Sequence, residues 1–174
     1  MLNILLNIDK NIGTSIRIDK NPRESVNFKV ECLSSLKTLS FGVKNADDIS
    51  IRNLPWLKEL SLNFSGEIDN GKITRILDQV PNIQELNLEG NLSYFNLDSF
   101  VNLRVLSLSG DIEKNFNLEL FKNLCNQLED IKISIGNLKK KTFMKLFDGY
   151  NFPYLVDLTI EFLDMYRLKK EFIN

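Results

Sequence analysis

Carboxylates are the side chains of this chain whose number and spacing could support chemistry. Glu59, Glu85, Asp130 and Asp157 each stand two residues after an apolar position that recurs along the sequence. Paired Asp or Glu side chains can act as general acid and base, or can bind a hard cation such as Ca²⁺ or Mg²⁺. No nucleophile, base and oxyanion donor recur together with them. The sequence therefore predicts a protein that is not an enzyme and has neither a metal site nor a cofactor.

Composition removes further classes of function. The 174 residues include no histidine, which excludes His-dependent triads and His-ligated zinc, and the net charge of −1 disfavours general binding to nucleic acid. Cys32 and Cys125 lie far apart and outside any CxxC motif, so we expect two buried thiols. No apolar stretch approaches the roughly 20 residues that span a bilayer, and residues 2–8 do not read as a signal peptide. We therefore expect a cytoplasmic protein.

A short apolar core, Leu-x-x-Leu-x-Leu with Ile or Phe at some positions, occurs six times. The cores begin at Leu36, Leu57, Ile83, Leu103, Leu128 and Leu155, and consecutive cores are 20 to 27 residues apart. Repetition at this period is the sequence signature of a solenoid. The fourth and sixth residues of each core share one face of a short strand, which cannot bury that face alone. We therefore expect the strands to stack in parallel around a common apolar core.

These cores resemble the strand segments of the leucine-rich repeat family over roughly residues 36–162. The resemblance implies an α/β fold: a leucine-rich repeat solenoid with a curved parallel β-sheet and short helices or 3₁₀ turns on its convex side. It also implies protein binding, as a scaffold, adaptor or recognition subunit. The family's asparagine at the ninth position of the repeat is matched by Asn91 alone.

We interpret the whole chain as one leucine-rich repeat domain, with a cap at each end because an open solenoid exposes apolar core. The N-terminal cap is residues 1–35, the six repeats are residues 36–162, and the C-terminal cap is residues 163–174, where apolar spacing allows a short helix. Alternating residues on either side of Pro22 favour a β-hairpin in the first cap. Alternatively, Ile16-x-Ile18 is a degenerate earlier repeat, 23 residues before Leu39-x-Phe41.

The segments that return from one strand to the next differ in length. Apolar residues at helical spacing predict helices within 71–80, 116–124 and 141–147. The short returns at 49–54 and 95–100 leave room for a turn or a single 3₁₀ step. Three prolines each precede a core, where the fixed φ ends the return: Pro55, Pro81 and Pro153. Phe100, Phe121 and Phe147 are predicted to form a buried layer on the convex side.

The third, fifth and seventh residues of each core should face outward and form a concave binding surface. Its candidate partner-binding residues are Glu59, Ser61, Asn63, Glu85, Asn87, Glu89, Ser107, Asp130, Lys132, Asp157, Thr159 and Glu161. The outward positions carry six acids and one base, and a surface of one sign attracts a partner of the other. We therefore predict a protein-protein interaction module that binds a protein with a basic patch. The plainer interpretation is a solvated polar surface, which stacked strands also need.

Two further alternatives stay open. Trp56, Phe64 and Tyr94 lie near strand ends, where they would anchor a partner if exposed but belong to the core if buried. The chain could also be the substrate-recognition subunit of a multi-protein enzyme complex such as a ubiquitin ligase. The strand-like pattern of residues 1–35, in place of an F-box-like helical segment, counts against that alternative.

Overall fold

The computed structural model of the chain describes residues 2–6, 15–19, 26–43, 49–64, 70–90, 92, 96–111, 119–136, 144–145 and 147–162. The strands and the helix of this part follow one another as β1 (Leu2–Leu6), β2 (Ser15–Asp19), β3 (Val26–Glu31), β4 (Thr38–Val43), β5 (Ile49–Arg52), β6 (Glu59–Phe64), α1 (Asn70–Leu77), β7 (Glu85–Glu89), β8 (Val105–Asp111), β9 (Asp130–Gly136) and β10 (Asp157–Phe162).

The strands form two parallel sheets. The larger sheet has seven strands in the order β10-β9-β8-β7-β6-β4-β2, and the smaller has the order β1-β3-β5. Every strand pair in both sheets is parallel. The fold is a parallel β-solenoid with little helix, and the six predicted cores contribute six consecutive strands of the larger sheet.

The apolar core residues stack in register, as the repeat predicted. The fourth residues of the six cores are consecutive Cα partners across the sheet: Leu39, Leu60, Leu86, Leu106, Ile131 and Leu158. All but the last are buried. Continuous burial of Leu and Ile across neighbouring strands is the main favourable term in the stability of such a stack.

A recurring pair of backbone hydrogen bonds sets this register at the start of each strand. The carbonyl oxygen of Lys37 accepts hydrogen bonds from the backbone N–H of Lys58 at 2.8 Å and of Glu59 at 3.0 Å. The second residue of each later core makes the same pair of bonds to the following core, at Lys58, Gln84, Arg104 and Glu129. The pairing of one strand with the next therefore does not depend on the length of the return segment between them.

The predicted N-terminal hairpin is wrong, and the alternative of an earlier repeat is confirmed. β2 pairs in parallel with β4, so that Ile16 lies opposite Leu39 and Ile18 opposite Phe41. β3 belongs to the smaller sheet, between β1 and β5. The turn-forming residues around Pro22 favoured a local hairpin, but β2 and β3 pair in different sheets, each with strands that are not adjacent to it in the chain.

The turn predicted at 49–54 is wrong over residues 49–52, which form a strand. The helix predicted within 71–80 is present over residues 71–77. Residues 49–52 form strand β5 and not a turn, because the alternation of Ile49 and Ile51 fits a sheet with both side chains buried. Helix α1 buries the apolar face expected of it, including Ile73 and Ile76. The smaller sheet therefore ends at β5, where the next return is helical.

The remaining returns are mostly turns. Residues 119–127 are consecutive hydrogen-bonded turns and not a regular helix, which corrects the predicted helix within 116–124 over its described residues 119–124. A turn closed by Phe100 N–H to Leu97 C=O at 3.1 Å follows the expectation for 95–100. Most of 141–147 and all of 163–174 lie outside the described residues.

The prolines occupy the turns that precede the cores, as predicted. Pro55 is the second residue of a turn in which Leu57 N–H donates to Leu54 C=O at 3.2 Å, and Pro153 has the same place before Leu155. This is the turn position at which the fixed φ of proline is favoured. Each proline thus ends a return segment without the loss of a strand hydrogen bond.

Aromatic residues fill the interior beside the last repeats. Phe100 and Phe121 are buried and Phe147 is partly buried, which follows the predicted layer. The ring of Phe121 stacks on Phe147 with centroids 5.1 Å apart and meets Phe152 edge-on at 5.7 Å. Offset stacking and edge-to-face contacts are the favoured geometries of aromatic pairs. These rings tie the last repeat to the one before it.

Only one of the two cysteines is buried. Cys125 is buried as predicted, whereas Cys32 is exposed. Cys32 follows β3 with φ +58°, and Asn53 follows β5 with φ +56°, so both residues lie in left-handed turns at neighbouring strand ends. The Asn53 amide donates to the Cys32 sulfur at 3.6 Å.

Within the described residues, no helix is long and apolar enough to cross a membrane.

Candidate functional site: the outward face of the larger sheet

The outward residues of the larger sheet form columns in the register that the sequence predicted. The third residues of the six cores are consecutive partners across β4 and β6 to β10: Thr38, Glu59, Glu85, Val105, Asp130 and Asp157. Adjacent strands lie about 4.8 Å apart. Glu59 is therefore a direct neighbour of Glu85, and Asp130 of Asp157. We call the outward residues of these six strands the acidic face.

The other two columns are also brought together as expected. The fifth residues are Ser40, Ser61, Asn87, Ser107, Lys132 and Thr159, and the seventh are Gly42, Asn63, Glu89, Ser109, Ser134 and Glu161. The fifth column continues onto β2 with Arg17, which pairs with Ser40. The outward list omitted Arg17, although the degenerate repeat at Ile16-x-Ile18 was a signal for it. β2 adds one acidic position as well, because Asp19 pairs with Gly42 of the seventh column.

Polar neighbours in the same column hold three of the acids. The Thr38 hydroxyl donates to Glu59 at 3.0 Å, and the Asn63 amide donates to Glu89 at 2.7 Å. The Ser134 hydroxyl donates to Glu161 at 2.6 Å, and Ser134 is only 5% exposed. A hydrogen bond to an ionised acceptor is stronger than one between neutral groups. These donors orient the carboxylates on the sheet without neutralising their charge.

Glu85 stands where the negative charge of the acidic face is most concentrated. Partial burial, and then the negative charges of Glu59 and Asp130, raise the pKa of the Glu85 carboxyl above its ordinary value. In the described part of the chain, no side-chain hydrogen bond or ion pair engages Glu85, Asp130 or Asp157.

Exposed apolar side chains border the acidic face at the turns that lead into its strands. Trp56 is 62% exposed, three residues before Glu59, and Tyr154 is also 62% exposed, three residues before Asp157. Of the aromatics considered as anchors, Phe64 is buried and Tyr94 lies outside the described residues. Trp56 thus has the exposure that an anchor requires. Tyr154 was not among the predicted anchors, although it follows Pro153 as Trp56 follows Pro55, so the same sequence signal was present.

A groove crosses the turns before β8, β9 and β10. Its volume is about 250 Å³, and its lining residues are Val101, Asn102, Arg104, Asn126, Gln127 and Tyr154. Arg104 forms an ion pair with Glu129 of the next repeat. The Gln127 amide donates to the Phe100 carbonyl at 2.7 Å. Both contacts join successive repeats, so the floor of the groove is fixed by the solenoid itself.

The geometry favours electrostatic binding over metal chemistry. Among the residues that the structure describes, no group of three or more Asp, Glu, Cys or His side chains is placed to hold a metal ion. The acids are spread along strands of an open sheet, where water competes for each of them. Such an arrangement can attract and orient a cationic partner that spans several repeats.

The fold and this surface define a repeat protein of the parallel β-solenoid class. Comparison with known proteins adds no relative: no family model, no curated protein and no solved structure matches the chain.

Proposed function

We propose that this chain is a non-catalytic protein-binding module that takes a basic segment of a protein partner on its acidic face. The proposal is carried by one observation: four acids share one column, with Glu59 beside Glu85 and Asp130 beside Asp157, and Glu59 and Asp130 both contribute to the raised pKa of Glu85. Repulsion among fixed carboxylates is stored in the free protein and is relieved when a cationic group binds. Lysine and arginine side chains of a partner supply such groups.

The repeat pattern supports the same role. We interpret the repeats as leucine-rich in type, and proteins built in this way present one extended surface made from many repeats. Such a surface suits an adaptor or scaffold, because its binding energy comes from several weak contacts and not from one enclosed pocket. The partner we expect is an extended segment or a flat patch that crosses several strands.

The test is capture of partners by the immobilised chain from cell extract at low and at high salt. Two charge reversals probe the face, Glu59→Lys with Glu85→Lys, and Asp130→Lys with Asp157→Lys. The matched control is Asp78→Lys with Asp148→Lys, because it changes the net charge equally but at exposed residues of return segments. All three variants are first compared with the parent by circular dichroism.

We expect the parent and the control to capture the same basic proteins at low salt and to release them at high salt, since surface charges are screened. Each reversal should reduce capture at least about tenfold, because it replaces two attractive contacts by two repulsive ones. Capture that survives both reversals unchanged contradicts the proposal. Equal loss in the control contradicts it as well, because the effect is then one of net charge alone.

A further inference from the structure

The groove at the turns before β8, β9 and β10 has a composition that differs from the acidic face beside it. Val101 is 69% exposed and Tyr154 is 62% exposed, and both line the same groove. Single exposed apolar residues are normal on a protein surface. Two that line one cavity give a partner side chain apolar contacts on more than one side.

The polar part of the lining suits a polypeptide main chain. Asn102 and Asn126 are exposed, and each amide can donate and accept hydrogen bonds. Arg104 and Gln127 are already engaged with Glu129 and with the Phe100 carbonyl. The groove therefore combines apolar walls, adaptable amides and a charge that is balanced internally.

The size of the groove limits what it can hold. Pockets that enclose a small-molecule ligand measure roughly 300–1,000 Å³, whereas this groove measures about 250 Å³. It has room for one large side chain of a longer molecule. A substrate or cofactor bound by itself would remain mostly in solvent.

The surroundings fix the charge of that longer molecule. Asp130 and Asp157 are direct neighbours on β9 and β10, and Asp157 lies three residues beyond Tyr154. Three residues of backbone span at most about 10 Å. A peptide with an apolar side chain in the groove therefore has its residues two or three positions away beside these acids, where lysine or arginine is favoured.

We infer that the groove lined by Val101 and Tyr154 takes one apolar side chain of a basic peptide segment, while Asp130 and Asp157 bind the basic residues next to it. The inference rests on the proposed function and makes it specific: the partner is a short basic segment interrupted by a large aliphatic residue. Basic segments without that residue should bind the acidic face more weakly.

The probes are two acetylated and amidated peptides of seven residues, six lysines around a central leucine and the same peptide with a central alanine. Binding to the full chain is measured by fluorescence anisotropy at low and at physiological salt. We expect the leucine peptide to bind at least about tenfold more tightly, because its side chain is buried between apolar walls. The variant Val101→Ser with Tyr154→Ser should bind both peptides equally. Met144→Ser, at an exposed apolar residue of a return segment outside the groove, is the control and should keep the preference.

The outcomes separate the groove from the acidic face. Equal affinities on the parent, or a preference that persists in the groove variant, overturn the inference, and salt-dependent binding of both peptides would then leave the proposed function standing. If Asp130→Lys with Asp157→Lys leaves both affinities unchanged, the role of the acids is wrong even where the leucine preference holds. The absence of binding by either peptide overturns both.

Discussion

At the scale of single residues, the charge of Glu85 shows that concentrating acids on one face lowers the stability of the fold. Its carboxyl has a raised pKa in the folded protein, so the folded state binds this proton more tightly than the unfolded state does. By linkage, stability falls as pH rises from the unfolded pKa through the folded one. The charge of Glu85 thus destabilises the fold at neutral pH, and this effect is absent below the ordinary pKa of glutamate.

Glu85→Gln should therefore stabilise the protein at neutral pH. We expect a gain of about 0.5 kcal/mol or less, because like charges opposite each other on a sheet are screened by solvent. Urea unfolding measures the gain, which should vanish in acid once Glu85 is protonated in both states. Asp148→Asn, at an exposed acid of a return segment, is the control. A gain that persists in acid contradicts this electrostatic account.

Gly110 is a residue whose side chain is excluded by the neighbouring repeat. Its φ is +123°, and a Cβ at this position would lie 2.0 Å from the carbonyl oxygen of Gly90. We expect Gly110→Ala to lower the free energy of unfolding by at least about 2 kcal/mol, measured by urea unfolding. Gly149→Ala is the matched control, because its φ of +78° is also left-handed but no neighbour lies within 4 Å. Similar losses in the two variants would show that φ alone matters.

At the scale of elements, Gln79 marks the place where the smaller sheet gives way to helix. Its side-chain oxygen accepts the backbone N–H of Ile51 at 2.9 Å, and its amide nitrogen donates to the Arg75 carbonyl at 2.6 Å. Gln79, two residues after the end of α1, thus takes the hydrogen-bonding place that another strand would have beside β5. Ile51 is fully buried, so its N–H depends on this one acceptor.

Gln79→Leu should destabilise the protein by about 1–3 kcal/mol, the cost of a buried donor without a partner. Gln79→Glu keeps the acceptor for Ile51 and should cost less, although it loses the bond to the Arg75 carbonyl. Hydrogen exchange of the Ile51 amide checks the mechanism, since it should accelerate in the leucine variant and stay protected in the glutamate variant. Equal acceleration in both variants would contradict it.

The elements that could be predicted from sequence are those whose pattern is local. The Leu-x-x-Leu-x-Leu cores predicted six strands, their parallel register and the outward columns, because side-chain alternation fixes all three. The pairing of β3 with β1 and β5 could not be read in this way, since these three strands do not carry the Leu-x-x-Leu-x-Leu core. Ile49-x-Ile51 does alternate, but a segment as short as the four residues of β5 fits a turn equally well.

The same distinction applies to the candidate site. The acids of each column follow from register, whereas the exposure of Trp56 and Tyr154 depends on how the turns pack. Each turn also has a proline before its aromatic residue, a pattern that fixes backbone shape but not the direction of the next side chain. The groove formed by three consecutive turns therefore became visible only in three dimensions.

At the scale of the whole molecule, stability should be distributed as in a stack of neighbours. Each repeat contacts the repeats beside it, so among the described strands a central one is supported on two sides and β10 on one. Leu106 on β8 is fully buried, whereas Leu158, its counterpart on β10, is 43% exposed, and Ile160, the other inward residue of that core, is 37% exposed. The end of the solenoid should consequently open more readily than its middle.

Leu106→Ala should lower the free energy of unfolding by about 2–5 kcal/mol, the range for a buried leucine, and Ile160→Ala by less than about 1.5 kcal/mol. Native-state hydrogen exchange should show how far along the sheet each substitution acts. Ile160→Ala should accelerate exchange in β10 and leave β6 and β7 unchanged, because the opening stays local. Leu106→Ala should accelerate exchange on both sides of β8. If Ile160→Ala instead accelerates exchange uniformly, the chain unfolds as one cooperative unit and the end strand is as well supported as the centre.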